Sequence, residues 1–357
     1  MPVISISFLQ RNIKDHNTFQ VYIFTYALCL VPYAFSTLFF RAFVAIIGDL
    51  YFMKEKPKIA GVLPVLHMPY RDDDSIDFDI LAGEVDYVIE AGADGIVLAL
   101  ASELLRLTHD ERLAVTRELP LMADGRCTVT ISVGAETSGQ AVHYAEAAER
   151  SGADAVMAVP PFTTSLSSAE KSGYFRAIHD AITIPLVVQD ASGYMGGQPM
   201  PVELQAGLRK ELGDRIYFKP ESIPTGPVIT GLRKTLNNDA VIFEGSGGSL
   251  IIDSYRRGVD GAMCGSDLIR GIVEIWRALE RGDERRAYEV YFPLIAIILL
   301  QSPNLDAFLV IEKYLLVKQG VFKNRKVRKP TAYDLDPETA AEVDRLYGML
   351  EAVLDNG

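Results

Sequence analysis

One lysine stands out by its position. Lys219 closes the run Ile216–Lys219 (IYFK), and it is the only lysine among the residues that end the chain's short apolar runs. An amine held at the end of a buried strand is disfavoured as a cation. The neutral amine is also the form that attacks a ketone to give an imine. Two other uses stay open at this point: an ion pair with Glu221, two residues on, or contact with a phosphate. His67, Glu103, Asp190 and Cys264 end other runs. The first three lie on separate runs and form no ligand cluster, and none of the five histidines lies within four residues of another, so no metal and no cofactor is expected. Cys264 has no histidine placed to activate it and reads as packing. EGSGGS (Glu244–Ser249) offers Gly245, Ser246 and Gly247 for a close backbone approach to substrate, or for phosphate, or simply for a tight turn.

These residues need a scaffold that gathers strand ends. Short apolar runs alternate with amphipathic stretches from Gly61 to Arg281. The expected strands are Gly61–Leu66, Gly95–Ala99, Cys127–Val133, Ala155–Val159, Pro185–Asp190, Ile216–Lys219, Ala240–Glu244 and Gly261–Gly265. The expected helices between and after them are Ile76–Ala91, His109–Met122, Ser138–Arg150, Ala169–Ile182, Pro201–Leu212, Gly226–Leu236, Leu250–Arg257 and Asp267–Arg281. Near-continuous apolar strands suit a parallel sheet covered on both faces. Eight strand–helix units predict an α/β fold of the (β/α)₈ TIM-barrel type, whose reactive groups belong at the C-terminal strand ends. AGADGIVLA (Ala91–Ala99), SGADAVMAV (Ser151–Val159) and RGVDGAMCG (Arg257–Gly265) repeat one pattern. Its glycine suits a left-handed helix end, and its aspartate the turn into the next strand. An open doubly wound sheet would want a glycine-rich turn after the first strand, and PVLHMPYRDDD is not one. Three further helices are expected after the barrel, at Asp283–Gln301, Leu305–Gln319 and Pro337–Asn356, the middle one strongly amphipathic. The organisation is thus an apolar segment over 1–52, a barrel over 53–282 and a helical extension over 283–357. NRKVRK (Asn324–Lys329) reads as a solvated basic loop.

The chain has 357 residues, 35 basic and 47 acidic, and a net charge of −12. That balance, without a basic stripe, argues against a nucleic-acid partner. Three cysteines, none in a C-x-x-C pair, exclude a disulfide scaffold. The first 52 residues differ in character. No charge occurs from Asn17 to Phe40, and Val21–Phe40 is long enough to span a bilayer. Pro32 weakens a membrane anchor over residues 17–47, and Asp15 with no clean cleavage site weakens a signal peptide. The preferred reading starts translation at Met53 and places the protein in the cytoplasm. Membrane contact is expected only if the anchor is genuine.

From Gly61 to about Asp283 the chain resembles the dihydrodipicolinate synthase / N-acetylneuraminate lyase family of Schiff-base lyases. The resemblance rests on GVLPVLHMPYRDDDSID, LTHDER (Leu107–Arg112), PLVVQDASG (Pro185–Gly193) and IYFKPES (Ile216–Ser222). It implies a TIM barrel, an imine on Lys219, a 2-oxo-acid substrate and a homo-oligomer (dimer or tetramer). The departures matter equally. The family's G-T-T-G-E turn, which holds the substrate carboxylate, becomes Ala99-Leu100-Ala101-Ser102-Glu103, leaving Ser102 as the surviving hydroxyl. The family's tyrosine falls on Gln189, its arginine for the aldehyde substrate on Tyr194, and its second tyrosine on Thr163. Losing all three argues against the lysine-pathway synthase reaction. The pattern looks most like the sugar-acid dehydratase branch, in particular 2-keto-3-deoxy-L-arabonate dehydratases.

The resemblance therefore implies dehydration or aldol cleavage of a 2-keto-3-deoxy sugar acid. Lys219, Gln189 and Glu103 are the expected catalytic groups, with a water held by Gln189 moving the proton because an amide does not titrate. Glu103 is equally well placed for a structural pairing. Ser102, Ala101, Asp190, Tyr194, Gly245, Ser246, Gly247 and His67 are expected around the substrate. A synthase condensing pyruvate with an aldehyde, and a non-catalytic 2-oxo-acid-binding protein, are the alternatives.

Overall fold

The computed structural model describes residues 59–356. The apolar N-terminal segment, with its possible anchor and the start at Met53, lies outside the described residues. Among the described residues no helix is long and apolar enough to cross a membrane.

Eight parallel strands alternate with helices: β1 Gly61–Val62, β2 Gly95–Leu98, β3 Thr128–Ser132, β4 Ala155–Ala158, β5 Leu186–Asp190, β6 Ile216–Pro220, β7 Phe243–Glu244 and β8 Gly261–Ala262. The helices that follow them in turn are α1 Phe78–Glu90, α2 His109–Ala123, α3 Ser138–Arg150, α4 Ser168–Ala181, α5 Val202–Leu212, α6 Thr225–Thr235, α7 Ile251–Arg256 and α8 Ile269–Glu280. Strands β2 to β6 form one run, and β1, β8 and β7 another. Parallel bridges Val65–Val97 and Phe218–Ile242 join the two runs, so the sheet closes into a TIM barrel. The first strand is shorter than the apolar run suggests. Pro64 has no N–H for the ladder, so pairing resumes only at Val65.

Alternation along the strands divides the core. Leu63, Val65, Val97, Ala155, Met157, Val187, Phe243 and Met263 pack together inside the barrel. Val62, Ile96, Leu98, Val156, Leu186, Val188, Ile216 and Phe218 pack outward with the helices. Gln189 is paired in register with Lys219 across β5 and β6. The inward set of each strand is what carries a side chain toward the mouth.

The threefold sequence repeat has a structural meaning. Gly92, Gly152 and Gly258 all adopt positive φ, at 94°, 95° and 82°. The aspartates that follow reach across to a neighbouring strand: Val62 N donates to Asp94 (2.8 Å), Val129 N to Asp154 (2.9 Å) and Ile242 N to Asp260 (3.0 Å). At Gly152 the nearest atom to an added Cβ is 3.8 Å away, so a methyl group fits and only the backbone opposes it. Gly152→Ala is therefore expected to lower stability by about 1 kcal/mol, read as a lower urea midpoint. Gly152→Asn, which tolerates the left-handed region better, should lose less.

Helices α9 Glu284–Gln301, α10 Leu305–Lys318 and α11 Pro337–Asp355 follow the barrel, and the described residues belong to a single compact unit. The expected amphipathicity of α10 is corrected here. Ala307, Leu309, Val310, Ile311, Glu312, Lys313, Leu315 and Leu316 are all buried, so the helix is enclosed on nearly every side. The 324–329 loop is not simply solvated either: Arg328 pairs with Glu111 of α2, and the Lys326 carbonyl accepts from Lys313.

Candidate active site

A cavity of about 550 Å³ opens at the C-terminal strand ends. Lys219 lines it, is 3% exposed, and has its Nζ 3.1 Å from Glu221 Oε1. The ion pair that remained open from the sequence is thus formed, and it faces the cavity rather than the protein exterior. Strand alternation explains the arrangement, because positions 219 and 221 project to the same side. Pro220 ends β6 between them, and the chain turns after Glu221.

Glu221 anchors a small polar network. Gln189 Nε2 donates to Glu221 Oε2 at 2.6 Å and to the Tyr194 hydroxyl at 3.0 Å. The Tyr194 hydroxyl in turn donates to Glu221 Oε2 at 3.3 Å. Burial holds the Glu221 carboxyl above the ordinary carboxylate range, against the opposing pull of Lys219 and Gln189. Gln189 Oε1 is buried with no hydrogen-bond partner among the described residues, an acceptor left for a ligand or water.

One wall comes from the segment after β2. Leu100–Ser102 forms a 3₁₀ turn, and Leu100 and Ala101 line the cavity. The leading N–H groups of such a turn have no intrahelical acceptor, which suits an anion. Gly245, Ser246 and Gly247 line another wall, and there the absence of a side chain is required. A Cβ on Gly245 would sit 2.4 Å from Lys219 Cε, inside contact distance. Asn304, Leu305 and Phe308, at the start of α10, close the outer side.

Lys219, Gln189, Ala101, Tyr194, Gly245, Ser246 and Gly247 are thus gathered at the cavity. Four expected site residues are not. Glu103 is turned away and buried against Lys313 of α10. The Ser102 hydroxyl donates to the Leu66 carbonyl and accepts from Ala99 N at 3.0 Å, so it braces the turn. Asp190 accepts from Ser192 N (3.2 Å) and Met200 N (2.8 Å), holding the loop after β5. His67 is enclosed by Glu84, Ser266 and Glu312. Burial opposes its charge, but the two carboxyls outweigh burial and raise its pKa to about 10. Thr163, which falls on the family's second tyrosine, is held by Glu136 and does not line the cavity.

Two further buried carboxyls, Glu221 and Glu244, stand beside these residues. Glu221 was visible only as a partner for Lys219, although its i+2 position already placed it on the same face. Glu244 accepts from Ser246 N at 2.8 Å and lies 3.7 Å from Cys264 Sγ. Burial pushes the Glu244 carboxyl up, and burial with the Glu244 charge holds the Cys264 thiol well above its usual value. A thiol so placed is a poor nucleophile, in keeping with its reading as packing.

Residues 58–347 match the model of the dihydrodipicolinate synthetase family. L-2-keto-3-deoxyarabonate dehydratase of Azospirillum brasilense is 29% identical over 296 residues, covering 80% of this chain and 93% of that protein. A 4-hydroxy-tetrahydrodipicolinate synthase of Methanosarcina acetivorans is 26% identical over 259 residues, covering 69% and 85%. The crystal structure of dihydrodipicolinate synthase from Rhodopseudomonas palustris superimposes with a TM-score of 0.75 at 26% identity, covering 83% of this chain and 99% of that one. With the matched region spanning the barrel and most of the extension, the chain belongs to the dihydrodipicolinate synthetase family of lyases.

Proposed function

We propose that the protein is a Schiff-base dehydratase of a 2-keto-3-deoxy sugar acid, of the L-2-keto-3-deoxyarabonate kind. The observation that carries this reading is Lys219 at the cavity with Glu221 3.1 Å away and Gln189 beside it in register. The similarity to the Azospirillum dehydratase supports the substrate class.

The Lys219 amine adds to the C2 ketone, and loss of that oxygen as water leaves the iminium. The iminium acidifies C3. The Glu221 carboxylate removes a C3 proton, and the electron pair moves into the enamine. The enamine then expels the C4 hydroxyl, which takes the proton back from Glu221 and departs as water. Water attack on the remaining iminium releases the product and frees the lysine. Gln189 orients Glu221 and leaves its own carbonyl oxygen for a hydroxyl or water. The Leu100 and Ala101 N–H groups take the substrate carboxylate. No arginine for an aldehyde co-substrate is needed, which accords with Tyr194 at that position. In place of the expected water held by Gln189 with Glu103 nearby, the proton is given to Glu221, which Gln189 itself contacts, while Glu103 is bound to Lys313. A cytoplasmic setting and a dimer or tetramer belong to the same reading. Phe292 and Leu299 stand exposed on α9, 64% and 65%, as a surface that self-association would cover.

Borohydride reduction tests it. With pyruvate or a 2-keto-3-deoxypentonate, the wild type should gain one irreversible adduct mapped by mass spectrometry to Lys219. Release of the dehydrated acid then separates dehydration from aldol cleavage, which would release pyruvate instead. Saturable binding without any adduct would favour the 2-oxo-acid-binding alternative.

A further inference from the structure

Lys313 lies on the C-terminal extension, 210 residues from the Glu103 it contacts, yet its side chain is fully buried at the barrel mouth. Its three N–H donors are all used. They reach the Met68 carbonyl after β1 (2.7 Å), the Lys326 carbonyl (2.7 Å) and the Glu103 carboxylate after β2. The face of Tyr70 lies 4.7 Å from the ammonium. A lysine with every donor matched is fixed in place rather than stored in a crevice.

The residue it holds is unusual. Glu103 sits in the left-handed region, φ 55° and ψ 25°, between the Leu100–Ser102 and Leu104–Arg106 turns. A non-glycine residue persists there only when its surroundings over-determine it. Its carboxylate also accepts from Arg328 N at 3.1 Å, and Arg106 lies 3.8 Å off. Next to it, the Ser102 hydroxyl donates to the Leu66 carbonyl and accepts from Ala99 N at the start of the turn. Leu100 and Ala101, the residues at the cavity, lie between Ala99 and Ser102, just ahead of these fastenings.

We infer that Lys313 is a positioning residue for substrate: by gripping Glu103 it sets the 99–103 turn so that its free N–H groups meet the carboxylate of the 2-oxo acid. The extension then contributes to recognition of the acid group, and not only to packing. This rests on the imine reading above.

The test uses the full chain and two probes that share a ketone. Pyruvate carries the carboxylate and hydroxyacetone lacks it, and each is trapped at Lys219 with borohydride over a range of concentrations. Two variants are compared, Lys313→Met and the doubly neutral Glu103→Gln/Lys313→Met, which leaves no unpaired buried carboxylate. In both, the half-saturating pyruvate concentration is expected to rise ~10–100-fold, the scale of losing hydrogen bonds to a charged group. Hydroxyacetone trapping is expected to stay within about twofold of wild type. Equal loss with both probes, whether from a distorted or an unfolded chain, would overturn the inference, and so would an unchanged pyruvate dependence. A wild type that traps neither probe would overturn the imine reading and this inference with it.

Discussion

Lys219→Ala is expected to remove turnover of any 2-oxo acid by at least ~10⁴-fold while leaving the barrel folded. The covalent step has no substitute, because the other lysine described near the mouth, Lys313, has every donor matched elsewhere. The change removes a buried amine from beside Glu221, whose carboxyl is already held above the ordinary range by burial. Without the ammonium that pulls it down, Glu221 simply takes a proton and stays neutral, so little stability should be lost. Steady-state assay with a panel of 2-keto-3-deoxy acids, beside thermal melts of both proteins, checks both halves. Residual turnover within tenfold of wild type would place the chemistry elsewhere.

Glu221→Gln should have the next largest effect, a fall in kcat of ~10²–10⁴-fold, the usual contribution of a positioned general base. The pH profile makes the prediction specific. The carboxylate is the working form, and burial raises its pKa, so the acid limb of kcat/KM should sit above the range of an exposed glutamate. Activity therefore falls tenfold per pH unit below that point and levels off above it. The glutamine variant cannot titrate, so its remaining activity should lose the limb. A variant that retains the limb would assign it to another group. Imine formation with pyruvate should survive in Glu221→Gln, since Lys219 is intact.

The sequence carried the barrel well because its signals are local. Eight apolar runs, the three glycine–aspartate turns and the lysine ending IYFK each depend on neighbours within a few positions. The strand register that sets Gln189 beside Lys219 follows from those runs. What stayed hidden depends on distance along the chain. Glu103 ends its strand as a catalytic acid would, and nothing near it in sequence announces a partner 210 residues later. His67 sits at a strand mouth, yet its carboxyl partners come from α1 and α10. Ser102 looked like a substrate hydroxyl because its spacing matched. Its hydroxyl is instead drawn to Leu66, since a turn that exposes N–H groups to a ligand needs bracing from behind. The placement of Glu221 beside Lys219, by contrast, follows from strand alternation alone.

The aspartates of the repeat fasten strands at their starts, on the floor of the cylinder, whereas Lys219, Glu221 and the glycines of the seventh loop crowd its rim. Durability and reactivity are thereby assigned to opposite poles of one molecule. Recombining rim loops from relatives with other substrates should retune what is processed without loosening the base, which makes this chain a tractable chassis for directed evolution.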